Sequence, residues 1–298
     1  MIQDDLAKSL LKEISALNLS PIPGDNYVFK DTIKQKLLDV GEELSFSFNN
    51  NKSFEVDIRC EVYKKALFSD YYFGRIRIVE QINSLQNLIE QNNQVAWIIV
   101  TAYYSTFYMS NEISKLFGIY ITNFSIADMS NLFSRSDTPI PDKFINQEQS
   151  HFSYQVKVTH SEYDGFVKLS FYPKSPRPHV EVWKNLTEVV DKLNVTDSNK
   201  LQHKNLFLNI CDIKNERWHI PSKVRNDWNY KFANYYGETG CDLGNIFYKN
   251  IKDQSSSFSW GNNRNIQPHE SNITASIAYI YHCLRCALQV VDHRLGFI

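Results

Sequence analysis

Apolar residues recur at helical spacing over most of the chain and alternate with polar ones over a few short runs. Leu6, Leu10, Leu11, Ile14 and Leu17 predict an N-terminal helix over 3–17, broken by Pro21, Pro23 and Gly24. Residues 44–48 (LSFSF) and 53–62 (SFEVDIRCEV) alternate, with Asn49 to Lys52 as the turn between them, which predicts an antiparallel hairpin. From about 71 the period lengthens. Ile78, Ile82, Leu85 and Ile89 mark a helix to about Gln91, and Asn92 and Asn93 break it. A second helix runs from Gln94 to Phe117 and ends at Gly118. The two form an αα-hairpin, the natural core of a bundle.

Residues 119–179 differ in texture. They carry Pro139, Pro141, Pro173, Pro176 and Pro178, and a hairpin pairing 153–158 with 166–172 across Asp164 and Gly165. Helical periodicity returns at 180–194 and at about 202–213. Pro221 opens a short helix, Gly237, Gly240 and Gly244 read as a loop, and 251–270 reads as polar and irregular. A last helix starts near Ser271 and Asn272, with Ile273, Ile277, Ile280, Leu284, Ala287 and Val291 as its stripe. The expected fold is mainly α (α+β). Its parts are an N-terminal helix and β-hairpin over 1–65, a helical core over 66–118 and 180–298, and a β-containing insertion over 119–179.

Composition narrows the chemistry. With 32 basic and 33 acidic side chains the net charge is −1, which argues against a broad polyanion-binding coat but leaves room for a local site. The five cysteines are scattered and odd in number, so a disulfide framework is not expected. The N-terminus lacks the basic start and apolar run of a signal peptide. Val95–Met109 and Ile273–Val291 are apolar nearly all round. The first is shorter than the roughly 20 residues a span needs, and the second carries His282, Arg285 and Gln289. Both read as core helices of a soluble cytoplasmic protein with no membrane association.

No Walker A, GxGxxG or HExxH motif is present, so no nucleotide-hydrolysing or dinucleotide-dependent enzyme is indicated, and no cofactor is expected. Cys283 and Cys286 form a Cys-x-x-Cys without a second such pair, which favours packed thiols over a metal site. Glu55, Asp57 and Glu61 share one strand face. A metal-dependent nuclease is a weaker reading of them than a solvated face, and no metal ligands are assigned.

The stretch with the densest chemistry is Arg225 to Tyr236. Arg225 and Asn229 are i, i+4 neighbours in an α-helix, and so are Asn226 and Tyr230. Val224 and Trp228 form the adjoining apolar edge. One reading is an internal network in which Arg225 bonds Asp227 or a helix end. The other is a phosphate site, since the planar arginine fork matches phosphate oxygens. On that reading Arg225 holds a phosphate, and the amides and Tyr230 orient it.

The long helix pair carrying Ala102-Tyr103-Tyr104-Ser105-Thr106-Phe107-Tyr108, followed by a later short helix opening with Arg225-Asn226, resembles the HEPN family. Active members of that family have an arginine, usually a polar residue next, and then a histidine with four to six residues between it and the arginine. Here Tyr230 stands at the histidine position, and no histidine follows Arg225 until His269. The resemblance implies a metal-independent endoribonuclease built as a homodimer, in which arginine stabilises charge while the RNA 2′-hydroxyl attacks the adjacent phosphate. It makes Arg225, Asn226 and Tyr230 the catalytic candidates, and Lys223, Asn229 and Lys231 the flanking RNA-binding ones. It also implies a bacterial toxin–antitoxin or antiviral-defence setting and a protein partner from the same operon. The tyrosine leaves a second reading open: a catalytically inactive assembly or sensor subunit of a multi-protein defence complex.

Overall fold

The computed structural model describes residues 2–16, 27–49, 52–91, 94–141, 144, 151–175, 177–263 and 265–297. The fold is mainly helical with a five-stranded antiparallel sheet, the expected α+β class. Its helices are α1 (Ile2–Ala16), α2 (Ile33–Leu38), α3 (Cys60–Glu90), α4 (Val95–Leu116), α5 (Ile126–Phe133), α6 (Pro178–Asp191), α7 (Ser198–Cys211), α8 (Pro221–Asn226), α9 (Glu238–Lys252), α10 (Gln254–Gly261) and α11 (Glu270–Leu295). The strands are β1 (Leu44–Phe48), β2 (Phe54–Arg59), β3 (Ile119–Ser125), β4 (His151–His160) and β5 (Phe166–Lys174). The expected breaks at Pro21, Pro23, Gly24, Asn92 and Asn93, and the turn residues Asn50 and Asn51, lie outside the described residues. So does Leu17.

Two compact units divide the chain. One comprises Glu13–Gly74 and Ser114–Pro178; the other comprises Met1–Lys12, Arg75–Ile113 and His179–Ile298. The first holds the sheet, in the order β1-β2-β5-β4-β3. The expected hairpin β1–β2 is therefore no isolated pair: β2 continues onto β5 with Phe54 opposite Phe171, Val56 opposite Leu169 and Ile58 opposite Val167. These apolar positions are buried, and Phe54 stacks on Phe171 with ring centroids 4.4 Å apart. Such cross-strand pairs set the register. Gly118 ends α4 in the left-handed region at φ 72°, and a Cβ there would sit 2.9 Å from Val158 Cβ, so the turn from α4 into β3 requires glycine.

The strand expected over 53–62 stops at Arg59, and α3 starts at Cys60 rather than near 71. Cys60 and Val62 continue the alternation in sequence. However, Tyr63, Ala66, Leu67, Phe68 and Tyr71 are all buried, and their three- and four-residue spacing is helical.

In the second unit, α11 is buried over most of its length, with Ile277, Ala278, Tyr279, Ile280 and Leu284 at its centre. Its polar groups are paired inside the protein. Tyr279 Oη meets His203 Nδ1 at 2.7 Å, and His282 Nε2 donates to the Asn250 carbonyl at 3.0 Å. No helix among the described residues is long and apolar enough to cross a membrane.

Two expected irregular segments are partly helical. Gly240 and Gly244 lie inside α9, where they allow close packing. A Cβ on Gly240 would fall 1.7 Å from the Tyr235 carbonyl oxygen, and one on Gly244 2.3 Å from Val95 Cγ1. Within 251–270, Asp253 caps α10 by accepting from the Ser255 and Ser256 amides at 3.1 and 2.9 Å. The expected caps Ser271 and Asn272 lie inside α11, which begins at Glu270 with His269 at the N-cap. Asn272 instead accepts from Trp260 Nε1 at 3.0 Å and donates to the Gln267 carbonyl at 2.9 Å.

Candidate functional site

Pro221 stands in the first turn of α8, where a missing N–H costs nothing. After Asn226 the helix widens into a π turn, Asp227–Lys231, closed by Phe232 N–H donating to the Asp227 carbonyl at 3.2 Å. This five-residue step changes which side chains meet. The α-helical neighbours expected from spacing were Arg225 with Asn229 and Asn226 with Tyr230. The structure instead pairs Arg225 with Tyr230, five residues on, with the guanidinium carbon 5.8 Å from the ring centroid. Turns of this kind are rare and occur often at functional sites.

The turn is anchored by Trp228, which is 1% exposed. Its indole N–H donates to Thr274 Oγ1 on α11 at 3.1 Å, and its ring lies 4.6 Å from that of Tyr235. Tyr235 belongs to the 3-10 turn Ala233–Tyr236, on which Gly240 closes. The Trp228 edge also packs against α9 at Gly244, 3.5 Å from the position a Cβ there would take, an ordinary contact distance. These contacts fix the α8 register.

With that register, Arg225 points at α4. Its guanidinium carbon lies 5.3 Å from the Tyr103 ring centroid and 5.6 Å from that of Tyr104. Arg225 is 7% exposed and has no ion pair among the described residues, and its Nε is buried without a hydrogen-bond partner. The internal-network reading gave Arg225 either a helix end or Asp227 as its partner. That carboxylate instead meets Lys231 Nζ at 3.2 Å and His219 Nδ1 at 3.6 Å. A buried cation without a carboxylate is costly. Three ring faces offset part of the cost, at about 0.5–2 kcal/mol each.

A histidine does stand beside Arg225, but it comes from upstream. His179, the second residue of α6, places Nδ1 2.8 Å from the Tyr103 hydroxyl and its ring 4.7 Å from that of Phe107. Burial, and then the Arg225 charge, push His179 below the ordinary histidine value, so the neutral imidazole prevails at pH 7. Burial pushes the Tyr103 phenol up, against the Arg225 charge that favours its ionised form. His179 precedes Arg225 in the chain, so a motif that places its histidine after the arginine does not include it. The available signal was its position directly after Pro178, at the opening of a periodic helix.

The remaining sequence candidates separate by face. Tyr230 is 73% exposed at the rim of the Arg225 cluster, Asn226 is exposed, and Asn229 is half-buried. Lys223 and Lys231 are exposed on a second face with Asp227 at four-residue spacing; Lys223 Nζ lies 2.9 Å from His219 Nε2. These lysines line a separate cleft of about 220 Å³ that Arg225 does not line. The sequence grouped them with Arg225; the fold brings together Arg225, Tyr230, Tyr103, Tyr104 and His179.

The carboxylates on β2 are engaged locally. Glu55 takes Lys168 at 3.4 Å and Ser170 Oγ at 3.2 Å, while Asp57 accepts from Ser161 Oγ at 2.6 Å. Cys283 is buried and Cys286 half-buried. Among the described residues, no group of three or more His, Cys, Asp or Glu side chains is placed to hold a metal ion. Comparison with family models, with curated proteins and with solved structures finds no match to this chain.

Proposed function

We propose that this chain is a HEPN-like protein of a bacterial toxin or antiviral-defence system that binds RNA and cleaves it without metal. One observation carries the reading: the Arg225 guanidinium is buried, lacks a carboxylate and is framed by Tyr103, Tyr104 and Tyr230, with His179 on the Tyr103 hydroxyl. A phosphate oxygen supplies the negative charge this arginine lacks, and the planar fork suits it.

The chemistry follows from the groups present. The Nδ1 contact with Tyr103 leaves Nε2 of His179 for substrate, and a neutral imidazole accepts a proton. The RNA 2′-oxygen forms a bond to phosphorus and its proton passes to His179 Nε2. The bond from phosphorus to the 5′-oxygen breaks, and that oxygen takes the proton of the Tyr230 phenol. Arg225 stabilises the charge on the non-bridging oxygens. The products are a 2′,3′-cyclic phosphate and a 5′-hydroxyl, and exchange with water resets both side chains. Asn226, exposed and next in the chain to Arg225, is assigned the orientation of the phosphate.

The test is cleavage of labelled RNA by the purified chain in EDTA. Wild type should cleave, Arg225→Met and His179→Gln should each lose about 100-fold or more, and Tyr230→Phe should be slowed. Wild-type rates in Arg225→Met would remove the site. Three tyrosine rings around Arg225 also suit a purely structural arginine, and this favours the inactive assembly or sensor subunit as the second reading. A parent chain without cleavage, unfolding more easily as Arg225→Met, selects that reading. A homodimer and an operon-encoded protein partner belong to the proposal through the resemblance, and solution mass tests the first.

A further inference from the structure

The Arg225 cluster continues along α4 as a partly exposed aromatic stripe. Trp97, Tyr104 and Tyr108 stand seven and four residues apart and so share one helix face, spanning roughly 16 Å at 1.5 Å per residue. Trp97 is 49% exposed, and Tyr104 and Tyr108 are half-buried. The rings of Tyr104 and Tyr108 lie 6.3 Å apart and 30° from parallel. The Trp97 ring meets Tyr236 edge-on at 6.2 Å, which holds it in place.

Two cations flank the stripe without ion pairs among the described residues. Arg225 lies beside Tyr104, and the exposed Arg77 has its guanidinium carbon 5.1 Å from the Tyr108 ring centroid. Ring faces alternating with unpaired guanidinium groups form a stacking platform beside a phosphate track. Such a surface needs bases free of a duplex, because a paired base hides both its faces in the stack. The unpaired positive charge favours a polyanion over an apolar partner helix.

We infer that unpaired bases of RNA stack along Trp97, Tyr104 and Tyr108 while Arg77 holds a phosphate next to the one at Arg225. The inference rests on the RNA reading of Arg225 and extends it to the strandedness of the substrate and to two residues outside the cluster, Trp97 and Arg77.

The experiment is fluorescence anisotropy of the full chain with one labelled RNA, single-stranded or annealed into a blunt duplex, over a salt series. The single strand should bind at least tenfold tighter than the duplex. Trp97→Ala should weaken single-strand binding about tenfold, as expected for one lost stacking contact, with the salt slope unchanged. Arg77→Gln should weaken it and lower the slope by about 0.7, the value of one phosphate contact on a single strand. Equal affinity for the duplex overturns the inference. So does unchanged binding in both variants; if Arg225→Met still abolishes cleavage, the phosphate site then stands without the stripe. Altered solution mass in Trp97→Ala with unchanged RNA affinity assigns the stripe to contact between copies and overturns the inference. Binding along the stripe by a chain that does not cleave upholds it and removes only the catalysis.

Discussion

At Arg225 the fold carries a charge it does not neutralise. Replacing a buried charged group by an apolar one of similar size is often neutral or stabilising. Arg225→Met should therefore leave the unfolding free energy in urea within about 1 kcal/mol of wild type, or raise it, while RNA cleavage falls. A loss above about 2 kcal/mol would instead make Arg225 a structural residue. The identity of this residue was legible from the sequence, since an arginine, two amides and a phenol crowd two turns beside Trp228. Its partners were less so. Tyr103 and Tyr104 stood out as part of the helix-pair resemblance, whereas His179 reaches the site only through the tertiary placement of α6. Tyr230 reaches Arg225 through a π turn, which α-helical spacing rules do not anticipate.

Element boundaries failed where one residue type serves two purposes. Gly237, Gly240 and Gly244 carry the composition of a loop, yet α9 runs through the last two because α4 and Tyr235 approach too closely for any side chain. Ordinarily alanine in a helix interior gains about 1 kcal/mol over glycine. At Gly244 the added methyl meets Val95 Cγ1 at 2.3 Å, so overpacking should dominate. Gly244→Ala is expected to lose about 1–3 kcal/mol of stability in chemical denaturation. Val95→Ala in the same chain should recover part of that loss, giving a non-additive double-mutant cycle. Additive losses would place the cost elsewhere. The border between β2 and α3 was hidden for a related reason. Alternation at Cys60 and Val62 fits a strand, and only the burial of Tyr63 to Tyr71 reveals the helix.

For the chain as a whole, the α+β class and the long helices followed from periodicity, while the sheet order did not. Nothing local to residues 54–59 specifies that they pair with residues 166–171, because that register is set by burial of Phe54, Val56 and Ile58 against Phe171, Leu169 and Val167. The helical unit is also sensitive to acid. Burial lowers His179, His203 and His282, the last to about 4. An unfolded histidine, near 6.5, binds protons that the folded one refuses between those values. Stability is therefore complete above about pH 6.5 and is lost as the pH falls towards 4, by roughly 3 kcal/mol for His282 alone. His282→Gln keeps a donor for the Asn250 carbonyl and removes the titration, so its urea midpoint should fall less than that of wild type between pH 7 and pH 4.5. An unchanged pH slope would refute the assignment. The division into interleaved units has a consequence for synthesis. Every segment of the sheet unit has left the ribosome once Pro178 emerges, and β1 to β5 can pair at that stage. Residues 75–113 must wait longer, since Tyr103 packs near Trp183 and Val95 lies against Gly244. Until then the apolar residues of 95–113 lack their partners from later in the chain, and that interval is when a chaperone has most to protect.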